Sequence, residues 1–341
     1  MRADESASSE VAAGGAKARN PLAKLGVAGL AAAGLLLAVY LIAETGFAEV
    51  LQAFARAGWG LTLIVLIDLA ALCAAGSGWR AIVAPLWHGR YRLFIGLRLV
   101  REAINTLLPV AQVGGDLIGA RLLTASGAAT SFAVASVIAD KTIETLGQFV
   151  YTLLGVALLL ARSEDRELAS GFGIGLAVAA PVLLAFLGAQ NARVLAALER
   201  MLLALAERMQ WGALGKVSGL PANLSALYRQ PVAVAAAFGC HMLAWFAGAV
   251  ETWVALAIMG HPVDFIDAFI LESLGQAARS AAFLIPGGLG AQEGALLLIG
   301  GALGLPADYA LALSLVKRSS QLIFGLPMLA SWPFLETRPA H

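Results

Sequence analysis

The chain has 341 residues, 60% of them hydrophobic and 13% charged, with a net charge of +1 and a mean hydropathy of +0.81. Soluble domains hold roughly 45–50% apolar residues, so this balance excludes a soluble globular protein and indicates an integral membrane protein. The near-neutral charge, without a basic stripe and interleaved aromatics, excludes a nucleic-acid partner, and Cys73 and Cys240, each inside an apolar stretch, read as buried thiols with no disulfide or metal role.

Residues 1–24 begin with Ala, Ser, Gly and scattered charges without periodicity, a disordered cytoplasmic tail. A single transmembrane domain is expected over 25–335. Apolar runs at 25–43, 61–84, 131–160, 171–189, 232–259 and 308–333 are each long enough to cross about 30 Å of hydrocarbon. Between them, 93–124 and 266–305 are bent at prolines and glycines and are too polar for ordinary spans; each reads as a re-entrant pair of half-helices. Residues 190–211 carry an apolar stripe at helical spacing (Val194, Leu198, Met201, Leu205, Met209), so 190–230 is read as a cytoplasmic amphipathic helix and loop. Residues 336–341 form a second cytoplasmic tail. The expected fold is an all-α polytopic membrane protein with about six full spans and two re-entrant half-helix pairs in an inverted repeat.

Lys and Arg placement sets the orientation. Lys17, Arg19 and Lys24, then Arg90, Arg92, Arg98 and Arg101, then Arg193, Arg200, Arg208, Lys216 and Arg229 mark three cytoplasmic regions, with both termini inside. The alternate segments 44–56, 162–167 and 261–267 have no positive excess and face outward. Trp59, Trp87, Trp211 and Trp332 fall at span ends or interfacial segments, where an amphipathic ring is stabilised by both phases.

The breaks at Leu108-Pro109 and Ile285-Pro286 lie 177 residues apart. Laid on itself at that offset, the chain pairs Glu102 with Arg279, Asp116 with Glu293, Asp140 with Lys317 and Lys141 with Arg318. Two repeats follow, one at about 61–160 and one at about 238–335. They are separated by an odd number of spans, so the second is inverted.

Charged residues within spans each cost at least about 2.5–3.5 kcal/mol and therefore face a polar cavity or one another. Asp140, Lys141 and Glu144 share one helix, with Asp140 roughly 14 Å past its start at 131; Lys317 lies equally deep from the opposite side. The geometry expects Asp140 and Lys317 to meet near the midplane, as a neutralising pair or as a lipid contact. Arg101 and Glu102 precede the first proline and Arg279 the second, each within about two turns of it. Gly114, Gly115 and Asp116 after Pro109, with Arg121, and Gly287, Gly288, Gly290 and Glu293 after Pro286 could offer helix-end amides to a lipid phosphate; the second set is followed by Lys317 and Arg318. Glu251 and Glu272 add acidic groups, and His241 reads as a packed histidine.

These motifs, Leu108-Pro109 with Gly114-Gly115-Asp116 and Arg121, Asp140-Lys141, Ile285-Pro286-Gly287-Gly288-Leu289-Gly290-Ala291-Gln292-Glu293-Gly294, and Lys317-Arg318, resemble the flippase-like transmembrane domain of lysylphosphatidylglycerol synthetases, over about 25–335. Stand-alone relatives include a bacterial hopanoid-biosynthesis-associated membrane protein. The resemblance implies movement of a lipid between leaflets. Lysine transfer does not carry over, because the residues past the last span hold no synthetase domain.

The expected function is therefore a non-enzymatic transporter in the bacterial inner membrane. Its substrate is a phospholipid or hopanoid, it needs no cofactor, metal or catalytic residue, and its protein partners are a second copy or lipid-synthesis enzymes. No Walker-type glycine loop points to ATP. An embedded enzyme acting on lipid or isoprenoid diphosphates would draw magnesium ligands from Glu102, Asp116, Asp140 and Glu144, which lack a tight Asp-x-x-x-Asp spacing. A non-transporting scaffold is the third reading.

Overall fold

The computed structural model describes residues 55–108, 113–162, 218–281 and 291–336. Among the described residues the secondary structure is helical: α1 (Gly60–Val83), α2 (Tyr91–Leu107), α3 (Gly114–Ala125), α4 (Thr130–Arg162), α5 (Leu220–Tyr228), α6 (Pro231–Ile258), α7 (Phe265–Ala281), α8 (Ala291–Ala302) and α9 (Ala307–Glu336). Helices satisfy their backbone hydrogen bonds internally, which a hydrocarbon environment requires. By length and composition α1, α4 and α6 can each cross a membrane. Their outer faces carry Leu63, Leu66, Leu153, Leu160, Leu243 and Phe246 exposed, as lipid contact demands and water would penalise.

The helix bounds fall within a residue or two of the runs expected at 61–84, 131–160 and 232–259, and α9 extends three residues past the expected run at 308–333. The segments 93–124 and 266–305 each hold two helices, α2 with α3 and α7 with α8, as their interrupted sequences indicate. Leu108 caps α2 in extended geometry, φ −105° and ψ 147°, which the ring of a following proline imposes. The runs 25–43 and 171–189, the amphipathic stretch 190–211, and Pro109, Pro286, Gly287, Gly288 and Gly290 lie outside the described residues.

The offset of 177 is written into the backbone. Adding it to the first residues of α3 and α4 gives those of α8 and α9. The α3–α4 turn passes through Gly127 at φ 102° and the α8–α9 turn through Gly304 at φ 77°, a left-handed conformation costly for any side chain. In each turn the same bond closes the helix end, Ala128 N donating to Leu123 O and Leu305 N to Gly300 O. Side-chain contacts between the halves repeat as well. Gln148 on α4 donates to Ser280 on α7, while Gly325 on α9 packs on Ala103 of α2, and each residue sits 177 from its counterpart.

The equivalent helices α1 and α6 pack directly against each other and run antiparallel. A Cβ on Gly60 would strike Ile258, and one on Gly78 would come within 3.1 Å of the Ala237 carbonyl. Opposite ends of the two helices therefore meet along the seam. Two apolar cores form, one around Trp79, Phe94, Leu123 and Ile143 and the other around Ile64, Leu256, Leu271 and Leu313, and helices of both repeats contribute to the second; Tyr151, Ala249 and Phe269 form a small cluster of their own.

Candidate functional site

Two sets of buried charges lie inside the helices. In the first repeat, Arg101 on α2 is 1% exposed. Its Nε and Nη2 donate to Asp116 Oδ1 of α3 at 3.0 and 2.7 Å, and its Nη1 donates to Asp140 Oδ2 of α4 at 2.7 Å. The guanidinium lies over the Trp79 ring of α1, 4.6 Å from its centroid, and Trp79 Nε1 donates to Ser136. His241 of α6 approaches Asp140 Oδ1 at 2.9 Å. Four helices thus meet at one planar cation, and α6 joins them through Asp140, a role suited to a fork of donors that binds carboxylates from several directions.

One turn earlier on α2, Arg98 grips Glu144 through two bonds of 3.1 and 2.6 Å. Its Nη2 also reaches Glu102 at 3.4 Å. Lys141 donates to Glu144 at 3.1 Å, and Thr106 donates to Glu102 at 3.1 Å. Arg279 of α7 donates to Thr106 at 3.5 Å, so a polar chain runs Arg279–Thr106–Glu102–Arg98–Glu144–Lys141 across the two repeats. The side chains of Lys141 and Glu102 are 38% and 28% exposed, which makes them the accessible members of the chain.

In the second repeat, Lys317 of α9 lies 3.0 Å from Glu251 of α6 and 2.8 Å from Glu272 of α7. Thr252 donates to Glu272 at 2.7 Å, Gln276 donates to its other oxygen at 3.0 Å, and Ser320 donates to Asp68 of α1 at 2.9 Å. Arg318 pairs with Glu293. Asp116 and Glu293 occupy the same place in the first turns of α3 and α8, where the helix dipole favours an anion. Their cations differ in origin: Asp116 uses Arg101 of the preceding helix, Glu293 uses Arg318 of the following one.

Asp140 and Lys317 do not form the expected pair. Each has its own buried partners, Arg101 and His241 for Asp140 and Glu251 and Glu272 for Lys317, because helix faces set the partners and equal depth does not bring α4 and α9 together. Arg98 and Arg101, counted in the sequence among cytoplasmic loop cations, are buried in α2; of that group Arg90 and Arg92 are exposed. Of the residues expected at the site, Glu102, Asp116, Asp140, Lys141, Glu144, Arg279, Glu293, Lys317 and Arg318 are in these networks, and Arg121 lies on the exposed side of α3. Arg98, Arg101, His241, Glu251, Glu272 and Asp68 were not singled out as site residues. For the first two a signal existed: Arg98 and Arg101 at i and i+3 match Asp140 and Glu144 at i and i+4, two rungs between adjacent helices.

The glycines after the first break act by close packing. Gly115 N donates to Asn105 Oδ1 at 2.8 Å, and a Cβ there would overlap the Arg101 carbonyl; a Cβ on Gly119 would lie 2.6 Å from Arg101 Cδ. Gly115→Ala should force α2 from α3, destabilising the protein by about 1–3 kcal/mol. Thermal melting of the purified protein checks this, with Gly96→Ala, which meets nothing within 4 Å, expected to melt like the wild type.

The family model described as the lysylphosphatidylglycerol synthase TM region matches residues 23–328. The chain belongs to this family. The match spans both repeats and both charge networks and stops inside α9. It makes the chain a membrane protein of a lipid-related family. No curated protein and no solved structure matches the chain.

Proposed function

We propose that the protein moves a polar-headed lipid between the leaflets of the bacterial inner membrane. The observation that carries this reading is the polar chain from Arg279 to Lys141, which joins the two repeats beside the break of α2. Charges in such a place are costly unless they serve one another or a polar guest. The partly exposed members of the polar chain, Lys141 and Glu102, carry opposite signs, suited to a zwitterionic or anionic head group while the acyl or hopanoid tails stay in lipid. On this reading α2–α3 and α7–α8 are re-entrant pairs. With α2 about 25 Å and α3 about 18 Å long, neither helix spans the hydrocarbon alone.

The antiparallel α1–α6 seam supports inversion of the repeats across the bilayer, with both termini cytoplasmic. Rocking of one repeat against the other would then offer the chain alternately to each leaflet. No bond is made or broken in this cycle.

Vesicles of phosphatidylglycerol and phosphatidylethanolamine carrying purified protein and a fluorescent phosphatidylglycerol test the reading. Probe should reach the second leaflet faster than in protein-free vesicles. Lys141→Gln, at the accessible end of the chain, and Gly288→Leu, at the second break, should each lower the rate several-fold. A rate equal to that of protein-free vesicles for wild type would overturn the reading.

A further inference from the structure

Among the described residues, the second charge network holds more acid than base. Arg318 is taken by Glu293, and Glu102 by Thr106 and Arg98. Lys317 and Arg279 then face Asp68 from α1, Glu251 from α6 and Glu272 from α7, an excess of one carboxylate. Lys317, Glu251 and Glu272 are 3%, 5% and 4% exposed, so water does not screen that excess. The two glutamates are held differently. Glu272 accepts from Lys317, Thr252 and Gln276, whereas the bond shown for Glu251 is the one from Lys317.

A second observation points into the same place. Tyr151 of α4 is fully buried, its hydroxyl has no hydrogen-bond partner among the described residues, and the charges acting on it are those of Glu272 and Glu251. An unpaired buried hydroxyl is costly, and the cost is removed when a donor or acceptor arrives.

We infer that Glu251 is a proton-binding site, with Lys317 as its partner, through which the protein responds to a proton gradient. A proton from water forms an O–H bond on a Glu251 carboxyl oxygen, leaving Lys317 to neutralise Glu272. Release returns the proton to water and lets Lys317 bind both carboxylates again. Loading therefore changes which acidic group of α6 or α7 holds α9.

Infrared difference spectroscopy of the full-length protein in detergent, titrated from acid to alkaline pH, tests the site directly. A protonated-carboxyl band should disappear as pH rises and should shift in protein labelled with carbon-13 glutamate. It should be lost in Glu251→Gln and kept in Glu272→Gln and Asp68→Asn. Absence of a glutamate band, or its loss only in Asp68→Asn or Glu272→Gln, would overturn the inference, and the isotope shift separates a glutamate from Asp68 even where a variant fails to fold.

The gradient arm rests on the translocation reading: in the vesicles above, an imposed pH difference should change the transfer rate several-fold in wild type and leave Glu251→Gln unaffected. A band without gradient dependence would overturn the coupling. A band with no lipid transfer would uphold the proton site and count against translocation.

Discussion

Arg101→Ala should be the most damaging single change in the first repeat. It removes the cation shared by Asp116 and Asp140, both within 2.7 Å of its guanidinium, and leaves two carboxylates in a site from which water is excluded. Truncating one partner of a buried ion pair costs about 3–5 kcal/mol, most of it the penalty on the charge left behind. The lost stacking on Trp79 adds to that penalty. The expected outcome is little folded protein recovered from the membrane, measured by monodisperse elution of a fluorescent fusion. Arg101→Lys should rescue only part, because an ammonium cannot give the parallel donors that reach Asp116 and Asp140 together. Recovery of Arg101→Ala at wild-type yield would mean that the meeting of four helices at this residue does not hold the repeat together.

Lys317→Ala is the counterpart in the second repeat. With the ammonium gone, Glu251 and Glu272 confront each other without a cation between them, and a loss again of about 3–5 kcal/mol is expected. Acidification, which neutralises the freed carboxylates, should restore part of the melting temperature of Lys317→Ala. Adding Glu251→Gln should do the same at neutral pH. Combining Lys317→Ala with Asp140→Ala, by contrast, should give additive losses, since the two residues have separate partners. A strong coupling between Asp140 and Lys317 would contradict the arrangement of α4 and α9.

Much of this architecture was legible in the residues. Apolar length located α1, α4, α6 and α9, and the proline after Leu108 located the end of α2. The offset between the two proline motifs carried further than the motifs themselves, down to the paired turns at Gly127 and Gly304. Partner choice was not legible. Asp140 and Lys317 occupy equivalent positions and opposite signs, which suggests a pair, yet pairing is decided by which helix faces touch. Arg101 reaches Asp140 because α2 and α4 flank α3, and Lys317 reaches Glu251 because α9 packs on α6. The same rule hid Arg98 and Arg101: their charge and position near a loop fitted a cytoplasmic boundary, and only the carboxylates of α3 and α4 show why they are buried.

The sign reversal between Asp140 and Lys317 has a consequence for how the molecule can sense its surroundings. Two identical subunits assembled about the same axis would place one residue type at both positions and could hold no such difference. A single continuous chain is free of that constraint, so its two otherwise matching pieces can bind unlike guests and feel the transmembrane voltage unequally. Moving one net charge through the whole potential is worth about 2.3 kcal/mol per 100 mV, enough to bias a rocking equilibrium nearly fiftyfold. Any voltage sensitivity would therefore arise from asymmetry within a symmetric frame and need no dedicated sensor helix.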